Sequence, residues 1–320
     1  MTIKGKIKKL CIVILFCTVL VSTGCSSGAK TGKDFQDEEK IAVVTTIYPI
    51  YDFASNIAGD KAEIINLVPA GTEPHDFELS TGDMQLIEKA DLFIYNGAGM
   101  EHFVDKTLKA VSNKDLVVVE AAQGIELLAA EHYHDDGDEH DGTDSEENTD
   151  PHTWLSVENA IAESEAIKDA LVELDEENAD YYEANFASYK EKLEALEADY
   201  KEGLSDLSGD TIVVAHEAFG YLCNEYGLKQ EAVEGLTADS EPDAARMKEI
   251  IEFCKENDIK IIFFEELVSP KVAKTIADEI GAETMVLNPI EGLTAEQEEQ
   301  GLDYIGIMEQ NLEALKKALQ

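Results

Sequence analysis

Two Rossmann-like α/β lobes, each with a mainly parallel four-stranded sheet and joined by one long helix, are the fold that this 320-residue sequence predicts. Three observations carry the expectation. Short runs rich in β-branched and aromatic residues alternate with stretches of helical spacing, which is the pattern of repeated βα units. That alternation occurs twice, once in each half of the chain. Between the halves lies a segment from Glu176 to Glu202 that contains neither proline nor glycine.

Residues 1–24 read as a signal peptide. Lys4, Lys6, Lys8 and Lys9 precede an apolar run from Leu10 to Val21 that is too short to span a bilayer and suits an export signal. The run ends in VSTGC, which resembles the lipobox of bacterial lipoproteins, with Ser22 standing where leucine is commonest. On that resemblance Cys25 is the lipid-modified first residue after cleavage, anchoring the protein to the outer face of the membrane, and residues 25–39 are a polar tether. Of the remaining cysteines, Cys223 and Cys254 fall in helix-like segments where a buried free thiol is the common state.

The N-terminal lobe is expected over residues 40–175. Its strand-like runs are IAVVTTI (41–47), EIINLVP (63–69), DLFIYNG (91–97) and DLVVVE (115–120). The stretch 131–150 breaks the pattern: ten acids and three histidines in twenty residues, with almost no apolar side chain. Such a segment cannot offset its own ordering entropy, so a loop without fixed shape is expected. Acids alone would serve solubility. His132, His134 and His140 add imidazoles suited to weak capture of a transition metal.

Residues 176–204 are expected to form the linker helix. Tyr182, Phe186, Tyr189, Leu193, Leu196 and Tyr200 recur at spacings of four and three, which places one apolar stripe on one face. At ~1.5 Å per residue such a helix is long enough to run along both lobes. A dimerising coiled coil would use the same spacing, so the spacing alone does not say what covers the stripe. The C-terminal lobe, 205–320, repeats the βα scheme with TIVVAH (211–216), QEAVEG (230–235), KIIFFE (260–265) and TMVLNP (284–289).

The balance of 25 Lys+Arg against 68 Asp+Glu gives a formal charge of -43, and 44% of residues are hydrophobic. The apolar content excludes a disordered chain, and the charge opposes binding to nucleic acid while attracting cations. Ligands of open α/β sheets bind beyond the carboxyl ends of the strands. Four metal-capable residues fall at such positions: His75 in VPAGTEPHDFELS, His152 in TDPHTWLS, His216 in TIVVAH and Glu291 in LNPIEG. Three imidazoles and one carboxylate make a complete tetrahedral set for Zn²⁺, whereas Mn²⁺ sites lean on oxygen donors and fit less well. Because an imidazole must be neutral to bind a metal, affinity is expected to fall below about pH 6.5.

Neighbouring residues compete for roles. Glu265 also stands at a strand end and is a rival fourth ligand or a support for another. His102 in GMEHFVDK is expected on the cleft rim in a structural role, and Trp154 packs beneath His152. Tyr48, Phe77 and Phe219 are candidates for the cleft wall. A different class of function, a zinc hydrolase, would use the three histidines as ligands and Glu291 as general base.

The motifs TIYPIYDFASNIAGD, VPAGTEPHDFELS, DPHTWLS, AHEAFGYL, FFEELVSPKVAKTIADEIGA and LNPIEG, together with the long helix, closely resemble the solute receptors of bacterial zinc and manganese ABC transporters, the cluster A-I family. The resemblance spans nearly the whole mature chain. It implies two lobes with a metal between them, ligands at His75, His152, His216 and the carboxylate of Glu291, and a monomer that hands its ion to a membrane permease driven by an ATPase. It also implies zinc: manganese members typically carry Glu where His216 stands and Asp in the final motif. An acidic His-bearing loop before DPHTWLS is likewise seen in zinc members. Some members are described as laminin-binding adhesins, which makes adhesion an alternative or additional role.

Overall fold

A computed structural model describes residues 34–129, 149–236 and 242–320. The signal segment, Cys25 and the histidines His132, His134 and His140 lie outside the described residues. Residues from Lys33 to Gln320 form one compact unit.

The first sheet contains β1 (Ile41–Thr45), β2 (Ala62–Asn66), β3 (Leu92–Tyr95) and β4 (Val117–Glu120), all parallel, in the order β2-β1-β3-β4. The second contains β5 (Thr211–Val214), β6 (Lys229–Ala232), β7 (Ile261–Phe264) and β8 (Glu283–Val286), parallel again, in the order β6-β5-β7-β8. Each central strand is covered on both faces, so Val43, Val44, Leu92, Phe93 and Ile94 are buried in one lobe and Val213, Val214, Ile262 and Phe263 in the other. In the first lobe α1 (Tyr48–Ala58), α2 (Thr81–Lys89), α3 (Val104–Ala110) and α4 (Val157–Leu174) flank the sheet. Pro49 in the first turn of α1 suits a position whose N–H has no helical partner. Ser80 and Ser156 cap α2 and α4 by accepting from the N–H groups of Asp83 and Asn159.

The linker helix is α5 (Ala179–Leu204). It begins three residues later than the absence of proline and glycine predicts. Asp175 Oδ2 accepts from Asn178 Nδ2 and from Tyr182 Oη, both at 2.7 Å, and holds Glu176–Asn178 in a separate 3₁₀ turn. It also runs past Gly203, where a Cβ would stand 3.2 Å from Leu312, so the glycine permits close packing on the last helix. The predicted stripe is buried, from Tyr182 to Leu204. Its cover is the chain itself: Tyr189 Oη donates to Asp52 of α1 at 2.9 Å, and Tyr200 Oη donates to the Met308 carbonyl at 2.7 Å. Met308 belongs to α10 (Tyr304–Ala318), which follows α6 (Gly220–Tyr226), α7 (Ala244–Glu256), α8 (Lys271–Ile280) and α9 (Ala295–Gln300) in the second lobe. One helix is thus fixed to a helix of each lobe. Cys223 and Cys254 are both buried.

Seven of the eight strands end one to three residues before their apolar runs do, and β4 ends with its run. His216, read as the last residue of a strand, lies two residues beyond β5, and Glu291 lies five beyond β8. Apolar content marks burial, which continues into the loops: Leu287 and Ile290 are fully buried outside any strand. The consequence for function is that all the candidate ligands sit on loops, held by side-chain contacts instead of a ladder.

Candidate metal centre

His75 follows β2, His152 follows β4 and immediately precedes a 3₁₀ turn (Thr153–Leu155), His216 follows β5, and Glu291 follows β8. The fold brings these four together, and among the described residues they are the one group of three or more potential metal donors whose ligand atoms converge, all within 4.8 Å of one another. The His152 Nε2 atom is 3.2 Å from His75 Nε2 and 3.3 Å from His216 Nε2. Glu291 Oε1 is 3.4, 3.0 and 3.3 Å from the Nε2 atoms of His75, His152 and His216. Zinc–nitrogen bonds of about 2.0–2.1 Å in a tetrahedron require donors about 3.3 Å apart, so the set has the edge lengths of a closed four-coordinate zinc shell.

Two histidines are oriented by carboxylates. The Nδ1–H of His152 donates to Asp150 Oδ1 at 2.8 Å, and the backbone N–H of His152 donates to the same oxygen at 2.9 Å. The Nδ1–H of His216 donates to Glu265 Oε1 at 2.6 Å. Each bond fixes the tautomer, turns the Nε2 lone pair toward the centre and makes it more basic. Glu265, considered as a rival fourth ligand, stands behind His216 instead. Asp150 was not singled out in the sequence, although its place two residues before His152 was a usable signal. Its space is set from the other lobe: a Cβ on Gly220 would lie 2.4 Å from Asp150 Oδ2.

The last limb carries a backbone strain. Ile290 has φ 61°, a conformation that a β-branched residue rarely adopts. It is held by Asn288, whose Oδ1 accepts from the Ile290 N–H at 2.7 Å, while Asn311 of α10 donates to the Asn288 carbonyl at 2.7 Å. Trp154 crosses between the lobes, its Nε1–H donating to the Pro289 carbonyl at 2.7 Å with its ring centroid 5.4 Å from that of His152. Behind the His152 loop lies a buried polar layer. Asn96 donates to the Pro151 carbonyl, Thr153 donates to Glu163, and Glu101 accepts from the N–H groups of Asn96 and Gly97. Burial pushes Glu163 up to about 8 and Glu101 to about 7.

The electrostatics of the centre are those of a site charged with protons. Burial disfavours a cationic ring, yet Asp150 and Glu291 together push His152 up to about 9. Glu265 and Glu291 hold His216 well above the ordinary histidine value against the same burial. Burial would raise Glu291, but the imidazoles around it hold it well below the usual carboxylate range. Glu73, two residues before His75, is pushed up to about 8 by burial and by the charge of Glu291. The shifts concern His152 and His216, and at those two rings protons compete with a metal above the ordinary imidazole range.

The remaining candidates lie around this centre. His102 is exposed just before α3, outside the four-donor group. Phe77 meets Phe103 edge-on at 6.0 Å beside His75. Phe219 is buried, and Tyr48 turns its hydroxyl to the Leu302 carbonyl at 3.2 Å.

Comparison with known proteins follows the same outline. A family described as the periplasmic component A of the zinc-uptake complex, ZnuA, matches residues 43–318. The high-affinity zinc uptake system protein ZnuA of Bacillus subtilis (strain 168) is 41% identical over 307 residues, 96% of each chain. The zinc-binding lipoprotein AdcA of Streptococcus pneumoniae serotype 4 is 39% identical over 310 residues, covering 97% of this chain and 61% of that longer protein. The crystal structure of the Zn(II)-bound ZnuA-like domain of S. pneumoniae AdcA superimposes with a TM-score of 0.76 at 41% identity, over 88% of this chain and 99% of that one.

Proposed function

The chain belongs to the ZnuA family of zinc-uptake components, and from that membership we propose that it is an extracytoplasmic receptor that captures Zn²⁺ and delivers it to an ABC transporter permease for import. The single observation that carries the reading is the convergence of His75, His152, His216 and Glu291 at 3.0–3.4 Å, the donor spacing of a tetrahedral zinc shell. The ion is cargo. Its capture uses the chain's acidity to raise local cation concentration, then replaces protons on the ring nitrogens, while Asp150 and Glu265 hold the rings in place.

Nitrogen donors outnumber oxygen three to one in the group, which favours zinc over manganese. The hydrolase reading needs Glu291 set back behind a water, with a coordination position open. Glu291 Oε1 at donor distance from all three imidazoles supports a fourth ligand instead, and with it a protein that performs no chemistry of its own. A lipid anchor at Cys25, a monomeric state, and weak metal capture by His132, His134 and His140 complete the proposal on the sequence alone. No helix among the described residues is long and apolar enough to cross a membrane. With α5 fixed to α1 and α10, release proceeds by modest tilting or loop rearrangement and not by a wide hinge.

The test is metal content and chelator competition on the purified protein, beside a form lacking residues 131–148, which keeps Asp150, and the His216→Glu variant. One zinc per chain, retained without the loop and shifted toward manganese by His216→Glu, is the expected result. Tight binding that disappears with the loop would place the main site elsewhere.

A further inference from the structure

Three of the four donors are closed off from solvent: the side chains of His152, His216 and Glu291 are 0%, 0% and 1% exposed. Water touches the fourth, His75, at 5%. His75 lines a groove of about 670 Å³ in the N-terminal lobe that the other three do not reach. One wall is the loop after β2, with Asp76, Phe77 and Glu78; the other is the segment entering α3, with His102, Phe103 and Lys106. The Phe77 and Phe103 rings, 6.0 Å apart, join the two walls. The same groove therefore holds an exposed imidazole and the one centre ligand that solvent touches.

Resting on the zinc-receptor reading, we propose that this groove is the path by which Zn²⁺ reaches and leaves the buried centre, with His102 as a transient landing ligand that passes the ion to His75. A hydrated zinc ion must shed water stepwise before four protein donors can surround it. A single imidazole at the mouth replaces one water without trapping the ion, because one donor binds weakly. The carboxylates of Asp76 and Glu78 outweigh the one ammonium of Lys106, so the walls favour a cation. His75 is the receiving end because its loop forms one wall and its Nε2 lies 3.2 Å from His152 Nε2 in the finished set.

A residue that acts only along the path changes the speed of binding and not its equilibrium. Trp154, the one tryptophan of the chain, sits against His152 and supplies a fluorescence signal for stopped-flow mixing with Zn²⁺. His102→Gln is expected to slow association about tenfold and chelator-driven dissociation equally, leaving the dissociation constant and the melting temperature of the metal-free protein unchanged. Lys106→Gln is expected to speed association by about threefold, more at low salt than at high. Ala110→Trp, which fills the groove from α3, is expected to slow both directions. Unchanged rates in His102→Gln and Ala110→Trp overturn the path while leaving the receptor reading intact. An unaltered chain that fails to bind Zn²⁺ overturns both.

Discussion

The two lobes share one sheet topology yet hold their candidate metal ligands by different means. In the N-terminal lobe, His152 is oriented by Asp150, two residues away, and the loop is a local unit that ties its own backbone and ring to one carboxylate oxygen. In the C-terminal lobe, His216 after β5 is oriented by Glu265 after β7, 49 residues distant, so its support exists only once the sheet is assembled. The first ligand is prepared by a turn and the second by a tertiary structure. A carrier built this way has one half-site that forms with its loop and another that reports on the integrity of its lobe.

The largest effect that would break the comparison comes from removing a donor outright. His216→Ala and His152→Ala should each weaken zinc binding by on the order of a hundredfold or more in competition titration. If either binds normally, the two half-sites do not act as one. Next come the supporting acids. Asp150→Asn and Glu265→Gln should each cost roughly tenfold to a hundredfold in affinity. Only Glu265→Gln should leave the backbone of the ligand loop unaltered, since Asp150 also accepts the His152 N–H. Hydrogen exchange at that amide separates them.

Gly220→Ala tests whether the local unit is truly local. The added methyl, 2.4 Å from Asp150 Oδ2, should displace that carboxylate and reduce affinity by roughly tenfold, although Gly220 belongs to the opposite lobe. Normal affinity in that variant would show that Asp150 has room to yield. The pH profile sharpens the picture further. With His152 raised to about 9 and His216 raised well above its ordinary value, zinc must displace protons at neutral pH. Affinity should therefore keep rising between pH 6.5 and about 9, by up to about tenfold per unit for each proton displaced. A plateau starting at 6.5 would mean that the carboxylates do not raise these rings. The smallest effect is expected of Trp154→Phe, which loses the bond to the Pro289 carbonyl and should lower stability by about 1 kcal/mol in denaturant unfolding.

What was legible in the sequence was whatever depends on pattern. Strand runs, the α5 stripe from Tyr182 to Tyr200 and the strand-end histidines follow from periodicity and from where α/β sheets bind ligands. Strand ends were not legible, because buried loop residues such as Leu287 and Ile290 look like strand. The 3₁₀ turn at Glu176–Asn178 was hidden for a similar reason: nothing in composition shows that Asp175 will gather Asn178 and Tyr182. Asp150 was lost among the acids of the preceding stretch, where charge alone could not distinguish an orienting carboxylate from a solvated one. The requirement for a small residue at position 220 exists only because two lobes meet there.

The left-handed backbone at Ile290 has a consequence for where Glu291 stands. A β-branched residue held in that conformation stores on the order of 1–3 kcal/mol, kept in place by Asn288 and Asn311. Two asparagines far from the imidazoles thus decide the aim of the carboxylate. Without their grip the backbone would relax to an ordinary conformation and swing Glu291 out of register with the three rings.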